Sequence, residues 1–121
     1  MRHLIVTQRP EALRDFSQAL AEGPGDSVAF ADSAATALEL VKRDSPDIVI
    51  VDATLPDTHP FQCITQLLMV NAMVNTAVIT PMPEAEFHER FEGLGVLCPL
   101  PDAPTARDAQ EPRQRLQTLA T

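Results

Sequence analysis

Tryptophan and tyrosine are absent from the 121 residues, and only five phenylalanines occur. The aromatic platforms on which single-stranded nucleic acids stack are therefore missing. Basic residues are scarce as well: nine against 17 acidic ones give a formal net charge of −8, and Lys42 is the only lysine. A surface of that sign cannot neutralise nucleic-acid phosphates. The two cysteines, Cys63 and Cys98, lie far apart and outside any Cys-x-x-Cys spacing, which excludes a zinc ribbon or a disulfide framework and fits reduced thiols. No long hydrophobic run occurs; the first, Leu4 to Val6, is far too short for a signal-peptide core or a membrane span. The chain is thus expected to be soluble and cytoplasmic, with no nucleic-acid or membrane partner. With only four glycines there is no Gly-rich phosphate loop after any apolar run, so no nucleotide cofactor is expected. His3, His59 and His88 are scattered without ligand spacing, so no metal site is expected of them.

A hydrophobic content of 45% over this length suffices for one core, and a single domain over residues 1–121 is expected. Strand-length apolar runs recur at Leu4–Val6, Val28–Phe30, Ile48–Val51, Ala77–Ile79 and Val96–Cys98. Between them stand helically spaced sets: Leu13, Phe16 and Leu20; Ala34, Ala37, Leu38 and Val41; Phe61, Ile64 and Leu68; Phe87, Phe91 and Leu94. A last helix carrying Leu116 and Leu119 is expected to start at Pro112. Pro10 opens the first helix, Gly23-Pro24-Gly25 closes it, Asp32 or Ser33 caps the second, and Pro46 ends it. Ile48 to Val51 is apolar without alternation, as a central parallel strand requires. Alternating strands and helices predict an α/β doubly wound sheet of five parallel strands with helices on both faces.

In such sheets functional groups gather beyond the carboxyl ends of the strands. Those positions hold Thr7-Gln8-Arg9-Pro10, Asp52, Thr80-Pro81 and Pro99-Leu100-Pro101, with Asp52 as the only expected strand-end carboxylate. Here the chain resembles the receiver domains of two-component response regulators over nearly its whole length. Ile48-Val49-Ile50-Val51-Asp52-Ala53-Thr54-Leu55-Pro56-Asp57 is similar to the family's third strand, phosphoacceptor aspartate and Leu/Met-Pro loop. Arg9-Pro10-Glu11-Ala12-Leu13 resembles the start of the first helix, Thr80 falls at the switch Thr or Ser, and Leu100-Pro101 stands where the family has Lys-Pro. The resemblance implies the flavodoxin-like strand order 2-1-3-4-5.

The departures point away from phosphorylation. Thr7 and Gln8 occupy the places of the two acidic residues that the resemblance assigns to magnesium. Magnesium normally needs one or two carboxylates plus substrate phosphate, and Asp52 alone is expected to hold it weakly at best. Leu100, at the lysine position, offers neither charge nor a hydrogen bond. Pro60 replaces the glycine expected after the Leu-Pro-Asp loop, giving up positive backbone angles and an amide donor. Arg9 stands where the family often has an acidic residue. It either turns its guanidinium onto Asp52 or lies solvated in the loop; the second is the expectation, since exposed pairs contribute little. For Asp52 itself the expectation is a strand-end carboxylate accepting hydrogen bonds from backbone or Thr80.

The reading is a degenerate receiver: a non-enzymatic signalling module without cofactor, metal or small-molecule substrate. Its expected partner is a signalling protein, either a histidine kinase or an output protein. The alternative is a working phosphoacceptor, phosphorylated on Asp52 by a histidine kinase. Leu67-Leu68-Met69-Val70 and Ala72-Met73-Val74 carry more apolar residues than one buried stripe needs, so either this helix is deeply buried or it offers a dimer or partner surface.

Overall fold

A computed structural model of the chain describes residues 1–120. Five strands, β1 (Arg2–Val6), β2 (Ser27–Ala31), β3 (Ile48–Asp52), β4 (Asn75–Ile79) and β5 (Pro99–Leu100), form one parallel sheet in the order β2-β1-β3-β4-β5. The connections carry α1 (Arg14–Leu20), α2 (Ala34–Asp44), α3 (Pro60–Val70) and α4 (Glu84–Arg90), and α5 (Gln110–Ala120) follows the last strand. This is the predicted doubly wound, flavodoxin-like fold. Among the described residues no helix is long and apolar enough to cross a membrane.

Strand alternation sorts the core into two layers. Leu4, Val6, Val49, Val51 and Val78 face α2, α3 and α4, while Ile5, Ile48, Ile50, Ala77 and Ile79 face α1 and α5. Because β3 lies at the centre of the sheet, all five of its residues are buried, which is why its sequence shows no polar alternation. Each buried Ile or Val adds roughly 1.5–3 kcal/mol of hydrophobic stabilisation.

Local sequence sets the helix ends. The Ser33 hydroxyl accepts from the Thr36 amide at 3.2 Å, capping α2. At its other end Ser45 takes a left-handed conformation (φ 46°) and donates its amide to Val41, and Pro46 cannot continue the helix. Gly25, at φ 81°, turns the chain from α1 into β2 where a side chain would be strained.

Four expectations need correction. The fifth strand is Pro99–Leu100, not Val96–Cys98. Leu97 and Cys98 do bond to β4, through Leu97 N to Thr76 O at 2.8 Å and Val78 N to Cys98 O at 3.3 Å. Pro99 lacks an amide and is tolerated because β5 is an edge strand. The first helix starts with a 3-10 turn at Pro10–Leu13, and the last begins at Gln110 after another at Ala106–Ala109, leaving Pro112 inside the first α-turn. On α3 the inward residues are Cys63, Ile64 and Leu67, whereas Phe61 is 44% exposed. Met69 and Met73 are largely exposed, so the apolar stretch around the end of α3 is not deeply buried throughout.

Candidate functional site

Three loops meet over the carboxyl end of β3. Asp52 is the last residue of that strand and is only 1% exposed. Burying a carboxylate without donors is costly, so its partners define the site. Thr7, just beyond β1 and itself buried, donates its hydroxyl to Asp52 Oδ2 at 2.8 Å. The same Thr7 Oγ1 accepts the Arg9 amide at 3.0 Å, which folds the β1–α1 loop back over the strand end. That turn delivers the Arg9 side chain to the carboxylate.

Arg9 engages both oxygens. Its Nε lies 2.8 Å from Asp52 Oδ2 and its Nη2 lies 3.2 Å from Oδ1. Nη2 also donates to the backbone carbonyl of Asp102 at 2.6 Å and stands 3.4 Å from Asp102 Oδ1. The solvated-loop expectation for Arg9 is therefore overturned. Exposed pairs contribute little because water competes for both partners, but Asp52 has almost no water left to lose to and the planar guanidinium matches it. The hydrogen bond to Asp52 is the main reason the guanidinium holds its proton even more firmly than usual.

Asp102 was missed. Once β5 is read as Pro99–Leu100, Asp102 also stands just past a strand end, so Asp52 is not the only carboxylate there. The misplaced fifth strand hid it. Thr80, by contrast, uses its Oγ1 elsewhere: it accepts from the Met82 amide at 3.1 Å, fixing the turn after β4. Thr80 therefore does not supply the hydrogen bond expected of it at Asp52. Gln8 is exposed and gives Asp52 no hydrogen bond; the donors to the carboxylate are Thr7 and Arg9. Leu100 is buried in the α1–α5 layer, so the place expected for an ammonium is filled by core packing.

The β3–α3 loop is held from outside. Asp57 accepts from the Ala34 and Ala35 amides at 3.1 and 3.2 Å, serving the open N-terminus of α2, and these bonds keep its carboxyl below the usual acidic range. Pro60 is the first residue of α3, where a missing amide costs nothing, and the loop needs no positive φ.

These residues do not fit a divalent cation. A guanidinium occupies both oxygens of the one buried carboxylate, Thr7 presents a hydroxyl already used as a donor, and Gln8 is exposed. Among the described residues no group of three His, Cys, Asp or Glu side chains is arranged to hold a metal. What the arrangement does provide is an aspartate paired with a guanidinium, with both carboxylate oxygens engaged by donors from the chain itself.

No protein-family model matches the chain, and no curated protein sequence does. Solved structures match it in fold. Chemotaxis response regulator CheY4 of Vibrio cholerae has a TM-score of 0.82 at 18% identity, covering 95% of this chain and 97% of that one. A two-component response regulator of the LuxR family from Aurantimonas gives 0.82 at 19%, over 97% of this chain and 85% of its own. The non-phosphorylated HemR receiver domain from Leptospira biflexa gives 0.78 at 20%, over 95% and 92%. The chain thus has the fold of response-regulator receiver domains.

Proposed function

We propose that the chain is a degenerate receiver of the two-component type, a cytoplasmic signalling module whose output is set by association with a protein partner and not by magnesium-dependent phosphorylation of Asp52. The observation that carries this reading is the bidentate Arg9–Asp52 pair. A receiver aspartate acts as a nucleophile toward a phosphodonor and needs cations to gather and neutralise the incoming phosphoryl group. In this chain the positive charge is part of the protein and is spent on the carboxylate itself. Attack would first require Arg9 to leave, exposing a buried charge held then by Thr7 alone. The fold and the retention of Asp52 support the kinship with receivers; Thr7, Gln8, Arg9 and Leu100 support loss of the chemistry. Its partners on this reading are a histidine kinase or an output protein, with no catalysis by the chain.

Incubation with magnesium and beryllofluoride, or with a small acyl-phosphate donor, tests it. The expected result is an unchanged mass and unchanged amide spectra. A spectral or mass change that disappears in Asp52→Asn would establish a working phosphoacceptor instead.

A further inference from the structure

We infer that the groove between α3 and α4 docks an extended segment of a partner protein that presents an apolar side chain beside a carboxylate. The inference rests on the association-module reading and names its contact surface. The groove, of about 340 Å³, opens on the α2–α3–α4 side of the sheet beside the ends of β3 and β4. Phe61, Met82 and Phe91 form its apolar wall. The Phe61 ring stands 6.0 Å from that of Phe91, and Phe91 stacks on Phe87 at 4.8 Å. Phe91 and Phe87 are thereby buried, but Phe61 stays 44% exposed and keeps apolar surface for an incoming side chain.

Charge selects the occupant. The chain as a whole is strongly acidic, yet no Asp or Glu lines this groove, and Arg90 and His59 stand at its edge. Arg2, Arg9, Arg113 and Arg115 are all paired with carboxylates. Arg14, Lys42, Arg43, Arg90 and Arg107 form no ion pair among the described residues, and of these only Arg90, which is exposed, lines the groove. The first turn of α3, an 11-residue helix, adds the same sign, because His59 at its N-cap makes no side-chain cap and Pro60 follows. Thr80, 8% exposed, also lines the groove; its oxygen accepts from Met82, so its proton remains to be donated. A carboxylate placed there would meet a guanidinium, a hydroxyl and a helix end while its apolar neighbour packs on Phe61. An extended segment can lay an apolar side chain on Phe61 and a neighbouring carboxylate at Arg90 within the same groove.

Selection of a displayed library of random short peptides on the intact chain tests this, followed by amide spectra and affinities of the enriched peptides. Enriched sequences are expected to pair an aromatic or branched aliphatic residue with Asp or Glu and to shift the amides of Phe61, Met82 and Arg90. Arg90→Glu should weaken them by about tenfold or more, the scale of losing one charge-assisted contact, and Arg90→Lys should recover part of the loss. Phe61→Ser should weaken them too, while Arg107→Glu, next to α1 and α5 across the sheet, should not. Enrichment of basic or purely apolar peptides, insensitivity to Arg90→Glu, or no enrichment would overturn the inference. So would concentration-dependent dimerisation abolished by Arg90→Glu, which would make the occupant a second copy. Beryllofluoride added to the same samples separates the two claims: an Asp52-dependent response counts against the association-module reading, and its absence with no peptide binding counts against the groove alone.

Discussion

Arg9 meets Asp52 side-on, with Nε 2.8 Å from Oδ2 and Nη2 3.2 Å from Oδ1, while the same Nη2 holds the Asp102 carbonyl at 2.6 Å. One side chain thereby ties the β1–α1 loop, the end of β3 and the segment after β5. The charge at the centre of the site is balanced from within the chain.

The first prediction separates the contributions to that tie. Arg9→Met leaves a buried carboxylate supported by Thr7 and should cost about 2–3 kcal/mol, less than the ~3–5 of a fully buried pair because Arg9 is 35% exposed. Arg9→Lys should cost about 1–2 kcal/mol, since an ammonium cannot span both oxygens and the Asp102 carbonyl. Asp102→Ala should cost about 0.5 kcal/mol or less, because the exposed carboxylate is replaced and the backbone carbonyl stays. Urea unfolding with a constant slope measures all three.

A second prediction concerns metal. The thermal midpoint of the native chain should not respond to millimolar magnesium. In Thr7→Asp combined with Arg9→Met, two carboxylates face each other without a cation, so the midpoint should fall and magnesium should then raise it. Calorimetry with and without magnesium checks both signs.

The third prediction is a pH dependence. His3 is 3% exposed, its Nδ1 lies 3.0 Å from the Ser27 carbonyl, and its buried Nε2 has no partner. Burial pushes its pKa below the ordinary 6.5, against the smaller opposing pull of the Ser27 carbonyl and Asp26. The folded state therefore prefers the neutral ring. Its stability contribution is complete above about 6.5 and is lost as pH falls from there through the lowered folded-state value, where the unfolded chain binds the extra proton. Unfolding free energies measured downward from pH 7 should show this slope, and His3→Leu should remove it.

Thiol chemistry gives a fourth. Burial pushes Cys63 up to about 11 and Cys98 up to about 12. Both should resist a thiol reagent at neutral pH in the folded chain and react at once in denaturant. Fast labelling of either in native buffer would contradict their place in the core.

The fold was legible because long-range order followed from local pattern. Unbroken apolar residues at Ile48–Val51 marked a central strand, and caps such as Ser33 and breakers such as Pro46 marked helix ends. Asp52, Thr7 and Gln8 could be placed from strand ends alone. The direction of Arg9 could not, because it depends on the Thr7 hydroxyl bending the loop and on a carbonyl 93 residues away. Asp102 was hidden by the same kind of limit: Val96–Cys98 is the more apolar run, but the edge pairing that defines β5 falls at Pro99–Leu100. Phe61 read as core by spacing, yet the helix turned Cys63 and Leu67 inward instead.

A double-mutant cycle between Arg9→Met and Asp52→Asn measures the central pair most directly. A coupling of about 2 kcal/mol or more is predicted, with Asp52→Asn relieving most of the damage done by Arg9→Met. Coupling below about 0.5 kcal/mol, the level of a solvated surface pair, would contradict the account.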